Sequence, residues 1–298
     1  MRRWWGWVLM VGLIRPAAAQ EANLPYAELE FVAHVPNARR LASDAQGALY
    51  VVTGREVIKL DTSGAVQNVL GGSDADLGAF DEVVDIDPGE GLIWVVADAG
   101  QGRLMRFSRT LMHLESLPVP RADEVGFGLP SREEPRSEVA SVAGRPVAVT
   151  VTPSGEVFAI EEDAQAVIKW DVSRRLERRI GHFGDAAGRL VEPVSLASDE
   201  SYLYVADRGL ERVQVYDLFG GFVRAYPADA ALVCVLPDGH DLVLVHADRI
   251  RVYSREGEFT HEIGLATALP VLSAARSTGH IFLLSDDTIW RLNGPKIP

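Results

Sequence analysis

Apolar residues in this chain fall into short runs that alternate with polar positions, and the runs repeat. One pattern recurs six times: an apolar residue, a variable one, an apolar or aromatic one, then Asp, Ser or Asn. Its copies are Ile58-Lys59-Leu60-Asp61, Met105-Arg106-Phe107-Ser108, Ile168-Lys169-Trp170-Asp171, Val215-Tyr216-Asp217, Val252-Tyr253-Ser254 and Ile289-Trp290-Arg291-Leu292-Asn293. The closing residues stand 47, 63, 46, 37 and 39 positions apart. A period of about 40–50 residues belongs to a four-stranded propeller unit. The one long interval implies a local insertion.

Each copy has the same surroundings. An apolar, β-branched run precedes it, such as Ala48 to Val52, Gly91 to Val96 or Tyr202 to Ala206. Before that run come turn sequences: Asp44-Ala45-Gln46-Gly47, Asp87-Pro88-Gly89, Pro153-Ser154-Gly155 and Pro237-Asp238-Gly239. Glycine is free to take the positive φ such hairpins need. A second turn follows the pattern, at Thr62-Ser63-Gly64, Phe219-Gly220-Gly221 and Arg255-Glu256-Gly257, and leads into a more polar strand. The expectation is an all-β fold, a six-bladed β-propeller of four-stranded antiparallel blades. The sixth unit stops at Asn293-Gly294-Pro295 without an outer strand. Leu29 to Val35 is assigned to that place, so both termini share the last blade and close the ring.

The N-terminus differs in kind. Arg2 and Arg3 start it, Trp4 to Ile14 form an apolar run, and Ala17-Ala18-Ala19 precedes Gln20. This reads as a secretory signal peptide over residues 1–19, cut after Ala19, with residues 20–298 as a single propeller domain. The apolar run is too short to span a hydrocarbon core of about 30 Å. A periplasmic or secreted location follows, with no stable membrane insertion after cleavage. Cys234 is the only cysteine, so stability rests on burial and ring closure rather than on an intrachain disulfide. It lies in the apolar run Ala231 to Leu236 and is read as a core residue, since apolar surroundings raise a thiol pKa.

Loss of Arg2, Arg3 and Arg15 takes the formal charge from −13 to −16. Such a surface repels nucleic acid and anionic lipid, which require basic patches.

The fourth unit carries a resemblance. Phe183-Gly184 through Gly188-Arg189-Leu190 leads to Glu192-Pro193-Val194-Ser195-Leu196, then to Leu203-Tyr204-Val205-Ala206-Asp207-Arg208 and Glu211-Arg212-Val213-Gln214-Val215-Tyr216-Asp217. This resembles an NHL repeat, with its Gly-rich lead, proline, "YVAD" strand and "RVQVF-D" strand. Ala97-Asp98 and Gly102-Arg103-Leu104 form a looser copy. The resemblance implies a propeller, and structural roles for Asp207 and Arg212. Such folds host scaffolds, receptors and enzymes alike.

In a propeller the inner strands start on the face where the loops between second and third strands also emerge, at the mouth of the central channel. Residues at the starts of the inner strands are Arg40, Asp81, Glu82, Arg145, Glu192 and Asp229. The loops add Arg55, Asp98, Gln101, Glu162, Asp163, Asp207, Arg208, His246, Asp248, Arg249, Asp286 and Asp287. An insertion, residues 121–143 between the second and third blades, rises from the same face and carries Phe127 and Leu129 as apolar knobs. A loop of that length reads either as a lid or partner-docking loop or as a solvated insertion.

The resemblance also brings activities to weigh. Calcium-dependent lactonases of related propellers use Glu, Asn and Asp around a channel ion. Here Asn23, Asn37, Asn68 and Asn293 do not fall clearly at inner-strand starts, although Glu82, Glu192 and Asp229 offer an all-carboxylate alternative. Amidating lyases of this fold need zinc-binding histidines. The seven here (His34, His113, His182, His240, His246, His261 and His280) are scattered, with only His246 near the mouth. No Gly-x-Ser-x-Gly elbow is present. The RNA-binding use of NHL rings needs a basic face, which this chain lacks. Trp94, Trp170, Tyr204, Tyr216 and Trp290 are read as packing between blades. The sequence thus points to an exported binding or scaffold module, needing no cofactor, for a protein, peptide or cell-envelope ligand. The alternative is a divalent-metal hydrolase (lactonase-like) or lyase, with calcium on those three carboxylates.

Overall fold

The repeat's closing residue explains the strand pattern. In the computed structural model Asp61 accepts hydrogen bonds from the amides of Ser63 (2.9 Å) and Ala65 (3.0 Å). Asp171 does the same for Ser173 and Arg175, and Asp217 for Phe219 and Gly221. The hydroxyls of Ser108 and Ser254 each take one such amide, from Met112 and Glu258. A short polar acceptor there satisfies turn amides that the ladder leaves free. Gly64 and Gly220 sit in these turns at φ 87°, where a side chain would be strained.

The structure describes residues 26–72, 80–89, 93–108, 110, 112–121, 143–265 and 270–293. Residues 1–19, read above as a signal peptide, Phe127 and most of the insertion lie outside them. Four antiparallel sheets follow chain order. The first is β2 (Arg40–Ser43), β3 (Leu49–Val52), β4 (Glu56–Leu60) and β5 (Val66–Gly71). The second is β6 (Val83–Asp87), β7 (Ile93–Asp98), β8 (Arg103–Ser108) and β9 (His113–Pro118). The third is β10 (Pro146–Val151), β11 (Val157–Glu161), β12 (Ala166–Trp170) and β13 (Leu176–Ile180). The fourth is β14 (Pro193–Ser198), β15 (Tyr202–Asp207), β16 (Arg212–Asp217) and β17 (Phe222–Pro227).

The remaining strands form one eight-stranded sheet. One run is β18 (Leu232–Asp238), β19 (Asp241–His246), β20 (Arg249–Ser254) and β21 (Phe259–Leu265). The other is β22 (Ser273–Ser277), β23 (His280–Ser285) and β24 (Thr288–Asn293), completed by β1 (Tyr26–His34). β1 pairs antiparallel with β24, as the unfinished last unit requires. It also pairs in parallel with β21 at Tyr26↔Gly264 and Ala27↔Leu265. Six separate sheets are therefore not what is seen. The nine-residue β1 reaches past β24 and satisfies backbone groups on the outer edge of β21.

The first strands β2, β6, β10, β14, β18 and β22 line a common cavity, and the whole is a propeller arrangement. Apolar clusters fill the spaces between successive sheets. Val95, Ala97 and Leu104 meet Val149, Val157, Ala159 and Trp170, while Tyr204 and Val215 meet Val235, Leu244 and Tyr253. Trp170, Tyr204 and Tyr216 are buried in these layers. Each buried side chain of this size stabilises the ring by about 1.5–3 kcal/mol. Trp290 packs partly buried against the cluster of the final sheet, edge-on to Phe31. The innermost strands have no neighbour on the channel side, so side chains cap their amides. Leu41 N donates to Ser273 Oγ at 3.0 Å, and Val151 N to Asp87 at 2.7 Å. No helix among the described residues is long and apolar enough to cross a membrane.

Candidate functional site

In the second, third and fourth sheets the second strand ends at the channel-mouth face in a carboxyl residue with a structural task. Asp98 accepts from the amides of Asp81, Glu82 and Gln101. Glu161 accepts from Arg145, Asp163 and Ala164. Asp207 accepts from Val191 (2.8 Å), Glu192 (3.0 Å) and Leu210 (3.0 Å). All three carboxyl residues are fully buried, and each ties the segment entering the inner strand to the loop after the second strand. Asp98 and Asp207 are therefore caps and not ligand-facing groups. At the equivalent place β19 ends in His246, which has no carboxylate to offer. Asp229 supplies one from the facing loop, accepting from Ala231 N and from His246 Nδ1, both at 2.9 Å.

Around this pair the charge is dense. Asp229 also meets Arg249 and Arg251, and Arg251 reaches Glu262 at 2.5 Å. Burial pushes the Asp229 carboxyl up, but the Ala231 amide, His246 and Arg249 outweigh it and hold the group below its ordinary value. Burial lowers the His246 pKa against the pull of Asp229, so the imidazole is neutral near pH 7. It is wholly buried, and its Nε2 has no partner.

The other expected mouth residues are paired as well. Glu192 holds Arg208 through two nitrogens, Nε at 3.1 Å and Nη2 closer. Arg145 bridges Glu82 (3.0 Å) and Glu162 (2.7 Å), joining the second and third sheets. Glu82, Glu192 and Asp229, the carboxylates suggested for calcium, thus each engage a different arginine set. Among the described residues no three His, Cys, Asp or Glu side chains stand close enough to hold a metal ion. Asp81 is exposed and lies in a neighbouring cleft with Arg39, Arg55, Glu56 and Glu82.

Arg40 is the exception. From the start of β2 it reaches to β14 on another sheet, where Nη2 donates to the carbonyl of Val194 at 3.2 Å. Val194 is free to accept because β14 bulges there: Pro193 pairs with Asp207 and Ser195 with Ala206, leaving Val194 out of the ladder. β6, β10 and β18 bulge at the corresponding Val84, Val147 and Val233. The side chain of Arg40 borders two spaces. Above it is a mouth of about 640 Å³ lined by Ala38, Val147, Pro193, Val194, Val233 and Leu272 together with Arg39, Glu162, Glu192 and Arg208. Below it is a chamber of about 230 Å³ containing Asp85, Asp87, Thr150, Ser195 and Cys234. Asp85 is enclosed by the ring, yet part of its surface remains open, because what it faces is the channel. Burial raises its pKa to about 6, with Arg40 pulling the other way. Burial likewise pushes the Cys234 thiol up to about 11, so it is no nucleophile at neutral pH.

Sequence reasoning placed Arg40 at the mouth but missed Arg39, the apolar wall and Asp85. Val147, Val194 and Val233 face the mouth through the bulges of their inner strands, which no local motif announces, while Ala38 and Leu272 lie just before β2 and β22. Asp85 was legible only as one of the two aspartates in the short strand Val83–Asp87.

No protein-family profile matches this chain, and no curated protein matches it. Solved structures do match. A streptogramin B lyase structure is 12% identical with a TM-score of 0.57, over 90% of this chain and 97% of that one. A catalytically inactive histidine-to-alanine variant of virginiamycin B lyase from Staphylococcus aureus, with quinupristin, is 12% identical with a TM-score of 0.60, over 91% and 87% of the two chains. The selenomethionine-substituted virginiamycin B lyase from the same organism is 11% identical with a TM-score of 0.58, over 90% and 100%. At these identities the likeness concerns the fold: the chain is a β-propeller similar in architecture to the streptogramin B lyases.

Proposed function

We propose that the chain is an exported six-bladed binding module, the eight-stranded sheet counting as two blades clasped by β1, and that it presents the mouth around Arg40 to a protein or peptide. One observation carries this reading. The mouth is an open cavity of about 640 Å³, while the acid–base groups beside it are fixed against one another, Glu192 on Arg208 and Arg145 between Glu82 and Glu162. Charges held in pairs keep fixed positions around the opening, which suits the orienting of a ligand and the choice of its register. Export rests on Arg2-Arg3, the apolar run and Ala17 to Ala19. The NHL-like repeat of the fourth unit remains a resemblance in sequence.

A photo-crosslinking amino acid at Leu272, on the mouth, and another at Val172, an exposed residue outside the mouth cavity, test the assignment. A partner captured only from position 272 supports it. Equal capture from both positions, or none from 272, removes it.

A second reading as a lyase has two features in its favour, the fold shared with the streptogramin B lyases and the His246–Asp229 pair at 2.9 Å. Incubation with quinupristin, followed by chromatography, decides it. Consumption of quinupristin that disappears in His246→Ala would replace the binding reading with the lyase one.

A further inference from the structure

The charged residues that line the mouth are Arg39, Arg40 and Arg208 against Glu162 and Glu192, so the arginines are in excess by one. Glu192 pairs with Arg208, and Arg145 is shared between Glu162 and Glu82. Arg39 is exposed and, among the described residues, makes no ion pair and no side-chain hydrogen bond. Among the described residues Arg40 likewise makes only the bond to Val194 and no ion pair. A guanidinium carries five N–H donors in a planar fork, so four of those on Arg40 are not spent on the described residues. Asp85 feels the charge of Arg40 from the chamber below, but it does not line the mouth.

The whole chain is acidic, at −13, yet its distant carboxylates matter little here. Charges farther away than about 8 Å are largely screened at physiological salt, so the lining itself, three arginines against two glutamates, decides what the mouth prefers. Two guanidinium groups not spent on these glutamates suit a ligand of one or two negative charges. A weakly hydrated guanidinium fork matches the two oxygens of a carboxylate. Apart from Gln165, the rest of the wall is apolar and includes Ala38, Val147, Pro193, Val194, Val233 and Leu272. Their side chains reward an apolar group next to the anion.

We propose that the mouth takes the carboxylate of a small amphipathic ligand, with Arg40 anchoring the oxygens at its floor and Arg39 at its rim. This rests on the mouth being the binding surface, and it adds the ligand's chemistry. The carboxylate can belong to a peptide C-terminus or to a free organic acid, and the shared requirement is one carboxylate beside an apolar group.

Calorimetric titration with N-acetyl-Ala-Leu as the free acid, the same dipeptide as its C-terminal amide, and isovalerate tests this. The acid should bind about tenfold tighter than the amide, as a charge-assisted bond would give. The preference should vanish in Arg40→Gln, which removes the guanidinium and keeps a polar side chain. Arg39→Gln, at an exposed residue whose loss leaves the ring intact, should weaken the acid about threefold or more and leave the amide unchanged. Isovalerate binding as tightly as the dipeptide acid identifies a free organic acid as the source, and a clear advantage for the dipeptide identifies a peptide terminus. If acid and amide bind equally, the carboxylate reading falls while the mouth remains the binding surface. If neither acid binds, this proposal falls, and crosslinking at Leu272 judges the mouth separately.

Discussion

Asp85 on β6 accepts the backbone amide of Val149 on β10 at 2.9 Å, closing a gap between two inner strands that no ladder bond spans. The carboxyl is sunk in the ring, and burial raises its pKa from 3.8 to about 6. An acid whose pKa rises on folding binds protons more tightly in the folded chain. Stability is therefore lost as pH rises from about 4 to 6, and the penalty is complete above that window. Asp85→Asn keeps an acceptor for Val149 and removes the charge. With allowance for its partial opening to the channel, the variant should gain about 1–2 kcal/mol at pH 8. The gain should shrink toward zero near pH 4. Melting temperatures of both proteins across pH 4–8 check this, and a pH-independent difference would contradict it.

His246 shows the opposite slope. Its pKa is lowered by burial, so its contribution is full above the ordinary histidine value and is lost as pH falls through and below it. The Nδ1 contact to Asp229 at 2.9 Å sets the neutral Nδ1–H tautomer. An NMR titration of the imidazole should give a midpoint below 6.5, the unperturbed value. A midpoint above it would show that Asp229 outweighs burial.

Asp207 and Arg208 are adjacent in sequence and should respond very differently to alanine. Asp207 is fully buried and satisfies three backbone amides. Its removal leaves those donors unpaired, at a cost of about 3–5 kcal/mol. The Arg208–Glu192 pair is roughly half exposed on both sides, and breaking it should cost less than about 1 kcal/mol. Urea unfolding of the two variants measures both. Similar losses would mean that the cap assignment is wrong.

Lys169 is a buried cation between the third and fourth sheets. Its Nζ lies 2.7 Å from Glu156, 2.9 Å from Glu177 and 2.8 Å from the Leu218 carbonyl. Lys169→Met preserves length and apolar stem but takes the cation from Glu156 and leaves Glu177 to Arg178 alone, so it should destabilise by about 3–5 kcal/mol. Adding Glu156→Gln and Glu177→Gln should recover part of that loss. No recovery in the triple variant would show that packing, rather than charge, carries the interaction.

These residues also mark how far the sequence could be read. The closing Asp of the repeat was visible because its function is local: Asp61, Asp171 and Asp217 bond to amides two and four positions on. The strand that completes the last unit was visible because Asn293 ends a pattern whose next member is missing, and Leu29 to Val35 had the right periodicity. The pairing of β1 with β21 was not, since two residues of overlap at Tyr26 and Ala27 follow from the length of β1 against β24. Arg40 could be placed at the mouth, but its reach to Val194 could not, because 154 residues separate them and the acceptor exists through a bulge.

The sequence by itself determined the strands, their grouping in fours and the turns, because each depends on alternation and on polar groups a few residues apart. The tertiary structure decided which charges are spent. Packing of neighbouring sheets brings Arg145 onto Glu82, strand pairing within a sheet sets Arg145 on Glu162 and Arg208 on Glu192, and Arg39 and Arg40 are left with donors to spare. Pairing of this kind depends on distances between strands and sheets, and an interaction that weakens over a few ångströms in water leaves no periodic trace along the chain.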